Sequence, residues 1–163
     1  MIKNIFYKSL LILILSSALM FIGILFTVQH NNIMYSQAMI ENIIDMLEKE
    51  IDLYDVQTED AFKKFVLQSD REELRISIIS TNGIVVADTI TNISDNHTNR
   101  SDVIKALHST ENKPAFSINT SISQKTPYIY VSKKIKADDN KDYILRVSVP
   151  IESVNKYLIS FLF

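Results

Sequence analysis

Three side chains in the last third of the chain, Tyr128, Tyr130 and Arg146, have the types and spacing to hold an anion. Tyr128 and Tyr130 stand two apart and share one face of a strand, and Arg146 lies in the next β-type run. A guanidinium is a planar fork of donors that matches carboxylate or phosphate, and tyrosines beside it supply hydroxyls and ring faces. Ordinary packing or solvation of these side chains is the plainer alternative.

The other candidate chemistry is thin. Phospho-accepting histidines are followed by Glu or Asp with a Pro nearby, whereas the chain reads His30-Asn31-Asn32, His97-Thr98-Asn99 and His108-Ser109-Thr110. Asp95, His97 and His108 carry metal-ligating groups, but their spacing matches no known metal signature, and no metal site is expected. His97 is expected to hydrogen-bond backbone in its loop. Cysteine is absent, which excludes disulfides and thiolate ligands. Glycine occurs only at Gly23 and Gly83, too sparsely for a phosphate-cradling loop. No nucleophile–base constellation appears, so the chain is expected to be neither an enzyme nor a cofactor binder.

The formal charge of −2 gives no reason to expect nucleic acid as a partner. Its distribution is uneven: Glu41 to Glu73 holds 11 acidic and 4 basic residues, and Leu74 to Phe163 holds 8 acidic and 11 basic. Two solvated surfaces of opposite sign account for that split.

The residues that could bind an anion need a sheet to position them. Arg75–Ser80 and Ile84–Thr89 are β-branched runs joined through Thr81-Asn82-Gly83, and Asn-Gly predicts a tight primed turn with both central residues at positive φ. Ala115–Ile122, Tyr128–Lys136 and Asp142–Pro150 are three further strands, the last two joined by Asp138-Asp139-Asn140-Lys141. In the final strand Tyr143, Leu145, Val147 and Val149 alternate with other residues, which buries one face. A short helix is expected over Glu59–Gln68, capped by Thr58, with Ala61, Phe62, Phe65 and Val66 buried. Another is expected from Ser101, as cap, to Leu107, burying Val103, Ile104 and Leu107. The fold class is therefore α+β: an N-terminal transmembrane helix continues into a long helix packed on a five-stranded antiparallel sheet, with the helices on one face.

Ser9 to Val28 runs twenty residues without a charge, enough helix to cross roughly 30 Å of hydrocarbon. Lys3 and Lys8 flank it, which places residues 1–8 in the cytoplasm, 9–28 in the bilayer and 29–151 outside the cell membrane. The apolar run passes well beyond Ser16-Ser17-Ala18, which favours an uncleaved anchor over a signal peptide. Beyond it, Ile33, Ile40, Ile44, Leu47, Ile51 and Tyr54 recur at spacings that describe either a helix lying on its own sheet or the seam of a homodimer. The membrane end of that stripe, Ile33 to Ile40, is expected to extend past the sheet and form the dimer contact. Residues 152–163 turn apolar again and read as the start of a second transmembrane helix, cut short.

Several of these segments resemble the extracytoplasmic domains of PhoR-like sensor histidine kinases, which have a PAS-like (PDC or single-Cache) fold. Arg75-Ile76-Ser77-Ile78-Ile79 with Asn82-Gly83-Ile84-Val85-Val86-Ala87-Asp88-Thr89 is similar to that family's first hairpin. Asp95-Asn96-His97-Thr98-Asn99-Arg100 through Leu107 is similar to its "E-N-H-x-N-R" segment, with Ser101 where proline is usual. Tyr128-Ile129-Tyr130-Val131 and Leu145-Arg146-Val147-Ser148-Val149-Pro150 resemble its later strands. The resemblance implies that Asp88 and Arg100 form a structural pair where hairpin meets helix, and that Tyr128, Tyr130 and Arg146 face the pocket side of the sheet. It implies a sensory input region that relays an unknown ligand or partner protein through paired membrane helices. A chemotaxis receptor or cyclase input would use the same domain, and a single-pass structural envelope protein is the alternative from another class.

Overall fold

The computed structural model describes residues 2–56, 58–69, 74–90, 96–121, 125–137 and 141–153. Its elements are α1 (Ile2–Leu53), α2 (Glu59–Gln68), β1 (Arg75–Ser80), β2 (Val85–Asp88), α3 (Ser101–Leu107), β3 (Ala115–Thr120), β4 (Pro127–Lys136) and β5 (Asp142–Pro150). The expected start of a second membrane helix falls mostly outside the described residues, as does most of the turn at residues 138–140.

The chain divides into two compact units, Met1–Tyr35 and Ser36–Phe163. The first is helix. It contains a stretch long and apolar enough to cross a membrane, and side chains such as Leu13, Leu19, Phe21 and Phe26 are exposed on every side. Apolar residues around the whole circumference suit a lipid environment.

In the second unit five antiparallel strands lie in the order β2-β1-β5-β4-β3, so the last strand in sequence occupies the centre. Ile76 and Ile78 of β1, Ile129, Val131 and Ile135 of β4, and Leu145, Val147 and Val149 of β5 fill one face. Against them pack Ile40, Ile44, Leu47 and Ile51 of α1 and Phe62, Phe65 and Val66 of α2. Phe62 meets Tyr143 edge to face with centroids 5.1 Å apart. Thr58 caps α2 by accepting from the Ala61 N–H, as its side-chain type predicts.

This packing settles the apolar stripe of α1 from Ile40 to Ile51 as core. Ile40 is fully buried within its own unit, so the expected dimer contact does not extend to it; Tyr54 lies past the helix end and is exposed. Lys133 of β4 locks the same face by donating to Asp45 (2.8 Å) and Glu48 (2.6 Å) of α1. Burial alone would lower the Lys133 pKa, but the two carboxylates outweigh that effect and raise it.

The helices do not share one face. α3 lies on the opposite side of the sheet, where Val103 and Ala106 pack on Ile79, Ala115 and Ile144. Nor does α3 bury the expected set: Asp102, Val103 and Ala106 point inward, and Ile104 is 40% exposed. Its N-cap is Arg100 rather than Ser101, with no side-chain capping bond. The inward turn of Asp102 explains the rotation, because Ser117 and Ser132 both donate to its carboxylate.

The hairpin between β1 and β2 also differs in detail. Only Gly83 has positive φ (80°), Gly83 N–H donates to the Ser80 carbonyl, and Ser80 N–H donates to that of Ile84. These bonds describe a three-residue loop ending on a left-handed glycine, not a two-residue primed turn. Segment 96–100 seats on this loop. His97 N–H donates to the Gly83 carbonyl at 2.8 Å, Thr98 Oγ1 donates to the Asn82 carbonyl at 2.9 Å, and Ile84 bridges to Asn96. A side chain at Gly83 would collide with Thr98.

Candidate functional site

The sheet face beneath α3 is apolar at one end and polar at the other. Period-two alternation produces both sides at once: each residue that sends Ile76, Val131 or Val147 to the main core sends its neighbour the other way. Strand register then gathers those neighbours. Ser77 pairs with Arg146, Arg146 with Ser132, Ser148 with Tyr130, and Tyr128 with Pro150. Tyr128, Tyr130 and Arg146 therefore share one face, at 7%, 4% and 1% exposure.

Two arginines lie buried on this face, the shielded carboxylate of Asp88 joins them from β2, and buried Asp102 reaches toward it from α3. Arg75 engages Asp88 through one edge of its guanidinium: Nε donates to Oδ1 at 3.1 Å and to Oδ2 at 3.2 Å, and Nη2 to Oδ2 at 3.1 Å. Ser77 Oγ donates to Asp88 Oδ2 at 2.7 Å, and the Ile90 N–H donates to Oδ1 at 2.8 Å. The expected partner of Asp88 was Arg100. Among the described residues its ion pair is instead with Arg75, because β1–β2 register sets Asp88 opposite Ser77, two residues along from Arg75. Arg100 stands at the start of α3 and accepts, through its carbonyl, the Ile104 N–H.

Asp102 is committed to Ser117 Oγ (3.1 Å) and Ser132 Oγ (2.7 Å). Arg146 is differently placed. Nη2 donates to Ser77 Oγ at a long 3.4 Å, its guanidinium carbon sits 5.2 Å from the centre of the Tyr130 ring, and Nε has no partner. Ser148 Oγ, on the same strand and face, is likewise buried without a hydrogen bond. Burial pushes the Arg146 pKa down, opposed by the attraction of Asp102. Burial also raises the Tyr128 pKa against the attraction of Arg75, which keeps its hydroxyl protonated at physiological pH.

Buried polar groups are nearly always satisfied, so two unsatisfied ones on adjoining positions of one face mark it. Sequence reasoning found Tyr128, Tyr130 and Arg146 but missed Arg75, Asp102 and the serines. The available signal was an arginine and a serine two residues apart in each of two strands, Arg75 with Ser77 and Arg146 with Ser148.

Two cavities elsewhere lack such groups. One, of about 490 Å3, lies between the end of α1 and α2 and is lined by Glu50, Tyr54, Lys64 and Phe65 among others. The other, of about 430 Å3, is lined by residues including Glu48, Asp52, Lys134 and Lys136. None of their polar lining side chains is buried. Among the described residues no group of three or more His, Cys, Asp or Glu side chains is placed to hold a metal ion.

No protein-family profile matches the chain, and no curated protein matches it. Solved structures do. The ligand-binding domain of the Campylobacter jejuni chemoreceptor Tlp3, in complex with 4-methylisoleucine, superposes with a TM-score of 0.59 at 18% identity, covering 78% of this chain and 56% of that one. The same domain in complex with L-norvaline gives 0.59 at 17% identity, with the same coverages of 78% and 56%. The extracellular domain of the candidate histidine kinase rpHK1S-Z16 gives 0.53 at 10% identity, covering 82% of this chain and 59% of that one. The likeness is one of fold: a long helix and a five-stranded antiparallel sheet. The chain spans somewhat over half the length of each of these structures.

Proposed function

We propose that the chain is the extracytoplasmic sensory input region of a bacterial membrane receptor, of the two-component histidine-kinase type that its sequence motifs resemble. The polar sheet face is the sensing face, and α1 is the output. The observation that carries the reading is the division of labour across one sheet: polar buried groups occupy the α3 side, and the other side packs on a helix that also bears the candidate membrane span. A ligand that changes the first surface can bias the position of the second, which is what a receptor requires. Likeness in fold to the Tlp3 ligand-binding domain, solved in complex with 4-methylisoleucine and with L-norvaline, and to a histidine-kinase extracellular domain supports the same reading. Chemotaxis input is the second reading, favoured by the Tlp3 likeness; both place residues 29–151 outside the membrane and lack catalysis in this chain.

The natural absence of cysteine makes topology directly measurable. Single cysteines at Lys8 and at exposed Glu111 are probed in intact cells with a membrane-impermeant maleimide. Labelling at residue 111 but not at residue 8 is expected. Labelling at residue 8 alone would overturn the receptor reading.

A further inference from the structure

The two edges of the sheet are guarded differently. β2 forms one edge: it is four residues long, its pairing with β1 shifts register between Ile78 and Ile79, and Asn96 bridges to Ile84 just before it. Short, irregular or covered edges are how sheets avoid pairing with other chains. β3, the opposite edge, has none of these devices. Its six residues pair with β4 in unbroken register, it contains no proline or glycine, and the sequence carries no charge from Pro114 to Gln124.

The ladder shows which groups this edge offers. Ser121 N–H donates to the Thr126 carbonyl at 2.9 Å, and bonded positions alternate along an antiparallel pair. Asn119, Ser117 and Ala115 therefore bond to β4, whereas Phe116, Ile118 and Thr120 turn their N–H and C=O groups outward. Pro127 agrees with this phase: it stands opposite Thr120, where no N–H is needed. Among the described residues nothing pairs with the outer side of β3. The same three residues share one side of the sheet, where Phe116 packs against the main core and Ile118 is 40% exposed.

These groups are self-complementary. We propose that β3 is an interface between two copies of this chain, which pair antiparallel about a two-fold axis at Ile118 to make one continuous sheet. Ile118 then faces the partner's Ile118, and Phe116 faces the partner's Thr120, each pair exchanging two backbone bonds. A two-fold axis sets like ends of an interface together, and like charges directly opposite repel, so a strand that pairs with itself is best neutral. β3 is neutral, which favours a second copy over a charged peptide. The strand pair is far smaller than the roughly 1,200 Å2 of a stable complex, so it relies on the high local concentration that a shared membrane provides. To that extent the contact rests on the membrane-anchored reading.

Its test uses single cysteines in the full, naturally cysteine-free chain, oxidised with copper–phenanthroline in membranes from expressing cells. Ile118 and Thr120 are both exposed, so Ile118→Cys and Thr120→Cys leave the core intact. Across the proposed axis the two copies of residue 118 lie about 5.5 Å apart at Cα, within disulfide reach, while those of residue 120 lie about 14 Å apart. Ile118→Cys should form disulfide-linked dimer at least about tenfold faster than Thr120→Cys. No dimer at residue 118 would overturn the interface. So would equal rates at 118 and 120, the result of chance collision or of parallel pairing. Selective cross-linking at residue 118 in cells where only residue 8 is labelled from outside would sink the receptor reading and leave the contact standing.

Discussion

Ser132 and Lys133 are consecutive residues of β4 that reach to opposite sides of the sheet. Ser132 Oγ donates to Asp102 of α3 at 2.7 Å, while Lys133 Nζ donates to Asp45 and Glu48 of α1 at 2.8 and 2.6 Å. Ser132 also stands opposite Arg146 in the β4–β5 ladder. One strand therefore links the polar face to the helix that bears the candidate membrane span through two adjacent side chains.

Lys133→Met should cost about 1 kcal/mol at neutral pH, because the pair is partly exposed and screened by solvent. Folding raises the Lys133 pKa, so this contribution is fully present below the unfolded lysine value of about 10.4 and fades as pH rises through the folded value. Urea midpoints of wild type and variant should converge in alkaline buffer. A gap that widens with pH would contradict the assignment.

Arg75→Ala leaves the Asp88 carboxylate buried without its cation, and should cost roughly 3–5 kcal/mol. Arg100→Ala leaves every described bond of Asp88 intact and should cost less. Equilibrium denaturation of both variants checks the order, and a larger loss for Arg100→Ala would restore the pairing expected from sequence.

Gly83→Ala is strained twice over. The residue sits at φ 80°, and a Cβ there would lie 2.7 Å from Asn96 Oδ1 and closer still to Thr98 Oγ1 and N. About 1–3 kcal/mol should be lost, with hydrogen exchange accelerating first at His97, whose N–H is bonded to the Gly83 carbonyl. Unchanged exchange at His97 would mean that segment 96–100 is held by something other than the hairpin loop.

The strands were legible because their apolar residues alternate: β1, β5 and α2 have the bounds that periodicity and caps imply, while α3 is capped one residue before the expected Ser101. What failed to show was tertiary choice. An acid in the first turn of a helix, such as Asp102, normally reads as solvated and favourable to the helix dipole. Only the approach of Ser117 and Ser132 from two other strands buries it. Likewise the stripe from Ile40 to Ile51 has the same spacing whether it meets a sheet or a second helix. The partner of Asp88 was recoverable in principle, since a hairpin register brings Arg75 near it, whereas Arg100 was reached through family resemblance.

Ile44→Ala should cost about 2–5 kcal/mol, as removal of a fully buried isoleucine does. Cysteine at Ile40 should destabilise the chain without cross-linking two copies, because that position is sealed by its own sheet. Efficient cross-linking at residue 40 would return the stripe to a dimer seam.

If the polar face beneath α3 is the sensing face, as proposed, its state must reach the output. The measurement is the output of a fusion in which residues 1–163 drive a histidine-kinase core with a transcriptional reporter, compared for wild type, Arg146→Met and the surface control Glu111→Ala across growth media of differing composition. Wild type and Glu111→Ala should vary in parallel, and Arg146→Met should hold one output in every medium. A response of Arg146→Met that tracks wild type would contradict a sensing role for this face.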